Sequence, residues 1–279
     1  MRTIPNLKLK NRIFLAPMEE INDISFRLLC KKAGALTYTG MIHPLTQQKI
    51  DLKDKPVLQL FCTDSEGVEN FIKKHDKEVS AWDFNLGCPA KTAKKHGFGV
   101  FLHSNLNTIK DILKTMRQST KKPLFVKIRK SDSAFEILEI AEKYCDAICI
   151  HPRTQKQGYS GEPDIKFAEE LRNKTKLPII YSGDVNENNY SSLLKKFDYL
   201  MIGRKAIGNP NIFATLSSKK LKKQITFADY FKLANKYKLP FEQIKSQAMN
   251  FTKGKPNSKK IRLEIFKVKN VEGLKDLKI

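Results

Sequence analysis

Leu124-Phe125-Val126-Lys127-Ile128-Arg129, then Phe135, Leu138 and Ala141 at helical spacing, then Ala147-Ile148-Cys149-Ile150, read as strand, helix, strand. Short apolar runs alternate with helical periods in this way from the start of the chain to about residue 213. Strands are expected near 13–16, 36–39, 57–61, 81–85, 124–128, 147–151, 179–182 and 199–202. Ile109, Ile112, Leu113 and Met116 line one face of another intervening helix. Eight strands with helices between them predict an α/β fold, a (β/α)8 barrel of the TIM type.

Near Ser217-Ser218-Lys219-Lys220 the alternation stops and only helical periods follow. Phe227, Tyr230, Phe231 and Ala234 share one face, Phe241, Ile244, Ala248 and Phe251 another, and Lys253-Gly254-Lys255-Pro256-Asn257 is a break. The expected division is a catalytic barrel over 1–215 and a small all-helical domain over 216–279. Charge follows the same division. Of the net +23, residues 216–279 hold 17 Lys/Arg against 5 Asp/Glu, net +12, whereas 1–215 hold 35 against 24, net +11. A basic surface concentrated in one segment suits a polyanionic partner such as nucleic acid. A Lys-rich composition without any ligand is the plainer alternative.

At 41% hydrophobic residues the chain can build a large core. It has no run of eighteen apolar residues, and Met1-Arg2-Thr3-Ile4-Pro5-Asn6 lacks a signal-peptide core, so a cytoplasmic protein without a membrane role is expected. The five cysteines, 30, 62, 88, 145 and 149, form no Cys-x-x-Cys pair and are expected to be reduced. Cys145, Cys149 and His151 have no fourth ligand nearby, so no metal site is expected.

Barrel enzymes assemble their active site at the carboxyl ends of the strands. Asn85-Leu86-Gly87-Cys88-Pro89 leaves the strand Ala81-Trp82-Asp83-Phe84 and places a thiol in a turn bounded by Gly and Pro. Gly87 lets the backbone approach a flat ligand and Pro89 fixes the exit, so Cys88 can be aimed into a cleft as proton donor or nucleophile. A buried core cysteine is the alternative. Other strand ends carry further chemistry: Ala16-Pro17-Met18 on the first, Gln59 in the third, Lys127 and Arg129 on the fifth, His151-Pro152-Arg153 on the sixth. Ser182, Gly183 and Asp184 end the seventh, and Gly203 and Arg204 the eighth, where this fold commonly cups a phosphate. Lys127, an ammonium behind an apolar strand, is costly to bury unless it faces a negative charge.

These motifs, continued by Tyr159-Ser160-Gly161 and by Ile202-Gly203-Arg204-Lys205-Ala206-Ile207-Gly208-Asn209-Pro210, resemble the flavin-dependent tRNA-dihydrouridine synthases over about residues 10 to 215, and more weakly beyond. The resemblance implies that reduced FMN gives hydride from N5 to C6 of a uracil, that Cys88 protonates C5, and that NADPH or NADH recharges the flavin. Ala16, Pro17, Met18, Gln59, Lys127 and His151 would meet the flavin, with Lys127 at its anionic N1–O2 edge; Ser182, Gly183, Asp184, Gly203 and Arg204 would hold its phosphate. For His151, a satisfied core histidine stays open. Asn85 and Arg153 would meet the uracil edge and its adjoining phosphate. The partner is then tRNA, with the uracil extruded into the pocket, and a monomer is expected. The sequence departs from the family pattern at Gly40, where an acid is usual, at Ser182 and Lys205, and at Gln247, where a His is frequent.

Two other classes compete. A dihydroorotate-dehydrogenase-like FMN barrel acting on a free pyrimidine would share Lys127 and the phosphate cup, but not the basic extension or the Cys88 turn. A non-catalytic RNA-binding protein would share the charge but has no need for the barrel-mouth set.

Overall fold

All eight expected strands form: β1 (Ile13–Leu15), β2 (Tyr38–Ile42), β3 (Val57–Leu60), β4 (Ala81–Leu86), β5 (Leu124–Arg129), β6 (Ala147–His151), β7 (Ile179–Tyr181) and β8 (Tyr199–Ile202). The structure is a computed structural model that describes residues 1–279 apart from 8, 10, 276 and 278. The strands are parallel in the order β1-β8-β7-β6-β5-β4-β3-β2. At the remaining seam a single bridge, Phe14 with Leu36, brings β1 to the residues before β2: Leu15 N–H donates to Leu36 O at 2.9 Å and Leu36 N–H to Ile13 O at 3.1 Å. The result is the (β/α)8 barrel.

Strand residues are buried on both faces, and the alternation sorts them into two cores. On β5, Leu124, Val126 and Ile128 join the outer core against the helices, while Phe125 joins the inner one. Inside, Phe14 meets Tyr38, Phe125 and Tyr199 edge to face at 6.3, 6.3 and 5.6 Å and closes the floor of the barrel. The inward positions one pleat nearer the carboxyl ends are polar or sulfur-bearing: Gln59, Asp83, Lys127, Cys149 and Met201.

The outer ring is α1 (Ile24–Ala33), α2 (Val68–His75), α3 (Lys91–His96), α4 (Leu106–Ser119), α5 (Ala134–Tyr144), α6 (Ile165–Asn173), α7 (Tyr190–Lys196) and α8 (Ile212–Leu216). Side-chain caps start several of them: Asp23 on α1, Asn105 on α4 and Asp164 on α6. The regular alternation fails once, because residues 43–56 between β2 and β3 form a loop instead of a helix. A buried ion pair secures it: Arg27 on α1 holds Asp54 at 2.9 Å, and Thr37 donates to the same carboxylate at 2.6 Å.

Beyond the barrel follow α9 (Phe227–Lys236), α10 (Phe241–Phe251), α11 (Ser258–Lys267) and α12 (Val271–Lys275). Their apolar faces continue the barrel's outer core through Phe227, Tyr230, Ile244 and Phe251. Asp23, the α1 cap, also accepts from Tyr230 at 3.1 Å and from Gln243 and Gln247 at 3.0 Å each. Gln247 is thus a strut between α10 and the β1–α1 loop. Gly208 abuts the same helix so closely that a Cβ there would stand 2.0 Å from Asn250 O. Among the described residues no helix is long and apolar enough to cross a membrane.

Candidate active site

The Cys88 turn is held from below by Asn85. Its Oδ1 accepts the N–H groups of Gly87 and Cys88, both at 3.0 Å, so the chain leaving β4 folds back on the last inward side chain of its own strand. Cys88 is half-buried, whereas Cys30, Cys62, Cys145 and Cys149 are buried. Burial drives each of those four thiols up; Cys62 and Cys149 reach about 12. Cys88 is thus the one cysteine of the five that is not buried.

Lys127 lies beside this turn. Its Nζ is 3.7 Å from where a Cβ on Gly87 would stand, so the missing side chain leaves the ammonium a clear approach. Among the described residues it forms no ion pair. Asp83, one pleat deeper on β4, is fully buried; burial pushes its carboxyl up to about 7 against the pull of the Gln59 hydrogen bond and of Lys127. Gln59 Nε2 donates to Asp83 Oδ2 at 2.6 Å, and Gln59 Oε1 accepts from Asn85 Nδ2 at 2.8 Å. Both ends of the Gln59 amide therefore have protein partners.

On the opposite wall, His151 is surrounded by cations. Burial first, then Lys127, Arg129, Arg153 and Arg204, hold its imidazole down to about 2, so it is neutral. Arg153 Nη1 donates to His151 Nε2 at 3.2 Å, which puts the ring proton on Nδ1. The three arginines at these strand ends, 129, 153 and 204, differ sharply. Arg129 and Arg153 are each 1% exposed and tie loops together: Arg129 donates to Gly87 O at 2.8 Å and Gly158 O at 2.7 Å, Arg153 to Gly161 O and Asp184. Arg204 is exposed, yet it also pairs with Asp184 and donates to Tyr159 O at 3.0 Å. Burial works to raise Asp184, but Arg153 and Arg204 hold its carboxylate below the usual range. Tyr159, 59% exposed, covers this end with Arg129 and Arg204 at 5.2 and 5.8 Å from its ring centroid.

Ala16, Met18 and Gly203 meet at the β1–β8 rim, where a Cβ on Gly203 would stand 3.5 Å from Ala16 Cβ and 3.9 Å from Met18 Sδ. Gly183 is tight: a Cβ there would lie 2.9 Å from Tyr181 Oη and 3.0 Å from Pro163. Two cavities, of about 520 and 510 Å³, border the mouth on the β2–β3 side and share Met41, His43 and Phe61. Their linings do not include Cys88 or Lys127. The join is Met41, whose Sδ is 3.7 Å from Asn85 Nδ2.

The residue set fits a flavin. A half-buried ammonium that forms no ion pair among the described residues, a neutral imidazole, small rim residues and backbone after β7 and β8 suit a flat, partly anionic ring with a phosphate tail. Among the described residues no cluster of three or more His, Cys, Asp or Glu could hold a metal ion. Sequence reading missed Asp83 and Gly99. The i, i+2 spacing from Asn85 already put Asp83 on the inward face, but nothing local ties Gly99 to Cys88.

Fold and site define a (β/α)8-barrel enzyme with its chemistry at the carboxyl ends of the strands. The family model for dihydrouridine synthase (Dus) matches residues 14–272. Similar relatives include tRNA-dihydrouridine synthase B of Pasteurella multocida, 30% identical over 77% of this chain and 71% of that one. The Escherichia coli K12 protein of the same name is 30% identical over 75% and 72%. A probable tRNA-dihydrouridine synthase of Aquifex aeolicus is 27% identical over 95% and 94%. The chain belongs to the dihydrouridine synthase family, and so to the flavin-dependent oxidoreductases. Among solved structures, TcOYE with pHBA (TM-score 0.56, 9% identity, 80% of this chain and 92% of that one) and a variant of NCR from Zymomonas mobilis (0.54, 11%, 82% and 95%) share the barrel fold.

Proposed function

We propose that the protein reduces the C5–C6 double bond of a uridine in tRNA, with FMN as its flavin and NADPH, or NADH, as reductant. The observation that carries this reading is Cys88, the single cysteine that is not buried, on a turn at the carboxyl end of β4 beside Lys127. Relatives named as tRNA enzymes support tRNA as the partner. When bound, FMN would supply hydride to C6 of the uracil.

The chain's own residues do the rest. Cys88 gives its thiol proton to C5, the general-acid role open to a cysteine held in a turn at the barrel mouth. Lys127 balances negative charge on the ring, and Ala16, Pro17, Met18, Gln59 and His151 line it. Ser182, Gly183, Asp184, Gly203 and Arg204 take the phosphate. Asn85 and Arg153 meet the uracil edge and its adjoining phosphate through donors left over from their holding bonds. Asn85's second N–H rests only on Met41 Sδ, a weak acceptor that a uracil carbonyl outcompetes. Residues 216–279 act as a basic RNA-docking domain on a monomeric enzyme.

The test is nucleoside mass spectrometry of unmodified tRNA incubated with the purified yellow protein and NADPH. Dihydrouridine is the expected product. Protein that binds FMN and oxidises NADPH yet leaves every uridine intact, while reducing a free pyrimidine, would overturn the tRNA assignment.

A further inference from the structure

We propose that Asp83 is a positioning residue for this reaction, a buried carboxyl that orients the Cys88 turn through Gln59 and Asn85. The inference rests on the reading of Cys88 as the working thiol, but its geometry does not. A side-chain amide can be turned over, exchanging a donor for an acceptor at almost the same shape. Two amides in series, Gln59 and Asn85, therefore have more than one self-consistent arrangement. Above about pH 7 the carboxylate below them removes the ambiguity, because once ionised it only accepts.

Asp83 Oδ2 lies 2.6 Å from Gln59 Nε2, so the Gln59 nitrogen faces down and its oxygen up. That oxygen is 2.8 Å from Asn85 Nδ2, so the Asn85 nitrogen faces Gln59 and its oxygen faces the turn. The N–H groups of Gly87 and Cys88 both arrive on that oxygen at 3.0 Å. With Asn85 reversed, two backbone donors would face an NH2 group, and the turn would have to rearrange. Asp83, Gln59 and Asn85 are 0%, 1% and 7% exposed, so water is not at hand to replace a lost partner. One acceptor beneath the barrel mouth sets the polarity of the whole relay, whose far end is the backbone of Cys88 itself. The side chains around Asp83 are Tyr38 from β2, Gln59 from β3, Lys127 from β5 and Cys149 from β6. Among the described residues only Gln59 hydrogen-bonds it, and Asp83 Oδ1 and Tyr38 Oη have no partner.

The experiment reads the Cys88 thiol directly. Iodoacetamide is added to the folded protein across a pH series, and peptide mass spectrometry follows modification of Cys88, the other four cysteines being buried. Asp83→Leu should change the Cys88 alkylation rate about fivefold or more, or displace the midpoint of its pH profile, with circular dichroism as in the parent. Asp83→Asn puts a third turnable amide in the series and restores the ambiguity, so it should move the alkylation profile in the same direction as Asp83→Leu, by a smaller factor. Should Asp83→Leu fail to fold, Gln59→Met cuts the relay at its middle link and carries the same expectation. A folded Asp83→Leu or Gln59→Met protein with the parent's alkylation profile overturns the proposal, as does Asp83→Asn with the parent's profile. Turnover of Cys88→Ala decides the thiol's chemical role separately, so the two failures are distinguishable.

Discussion

Gly99 stands against the backbone of Cys88. At φ +65° it occupies the left-handed region, and a Cβ there would lie 2.7 Å from Cys88 O and 3.0 Å from Cys88 Cβ. Val100 N–H donates to the same carbonyl at 3.2 Å, so the turn is braced by Asn85 on one side and by Gly99 and Val100 on the other. Gly99→Ala must distort φ, displace Cys88, or both. We expect a loss of about 1–3 kcal/mol in stability and a fall in turnover with flavin binding retained. Denaturant melts and single-turnover rates check this; unchanged turnover would show that the brace is dispensable.

Cys88→Ala should keep FMN and tRNA binding but lose about 100-fold or more of turnover, because only the proton for C5 is missing. Cys30, Cys62, Cys145 and Cys149 should tolerate Ser or Ala with effects on stability alone, since all four are buried. Equal activity of Cys88→Ala and parent on unmodified tRNA would end the acid assignment.

Lys127→Met and Arg204→Ala should fail differently. Lys127 sits beside the Cys88 turn and forms no ion pair among the described residues, so its loss should leave flavin bound but slow the chemistry. Arg204 is exposed and shares Asp184 with Arg153, so its loss should weaken flavin retention. Equilibrium titrations with FMN that rank the two in the opposite order would exchange their roles.

His151 makes stability depend on pH with a definite sign. Its folded pKa, near 2, lies far below the ordinary value of 6.5, so below about pH 6.5 the unfolded chain takes up a proton that the folded one refuses. Its contribution is complete above pH 6.5 and is lost as pH falls. Asp83, raised to about 7, acts in the opposite direction between about pH 4 and 7, so only a difference between variants isolates the histidine. The stability of His151→Gln relative to the parent should improve by about 2 kcal/mol between pH 7.5 and pH 5. Parallel urea midpoints of the two proteins at both pH values would contradict the neutral assignment.

Lys219, Lys220, Lys259 and Lys260 are exposed on the basic C-terminal segment. Changing all four to Glu should weaken tRNA binding and flatten its salt dependence, while reduction of the flavin by NADPH continues as before. These substitutions are preferable to truncation at 215, which would remove Phe227, Tyr230 and Phe251 from the shared core and uncover the barrel surface they pack on, including Gly208. If affinity and salt slope are unchanged, the charge of this segment is compositional.

The eight strands were legible because each is a short, continuous apolar run, and the helix faces because 3.6-residue spacing is local. The sequence by itself determined the barrel, the carboxyl-end residues and the turn that carries Cys88. It misplaced one element, expecting a helix in every connection where residues 43–56 instead form a loop held by Arg27 and Asp54. Only the tertiary structure decided what the site residues do to one another. Arg129 stood at a strand end like the others, and closure makes it a strut to Gly87 and Gly158; Arg153, read as meeting the substrate's phosphate, is in addition tied to Gly161 and Asp184. Gln247 read as a departure in the C-terminal segment, and it braces Asp23. Asp83 was one more residue in an apolar strand until closure of the barrel faced it toward Gln59, and Gly99 was an ordinary glycine until it came against Cys88. The physical reason is range: hydrophobic periodicity is a property of neighbours in sequence, whereas a hydrogen bond 26 residues apart, as between Gln59 and Asn85, exists only after the chain has closed.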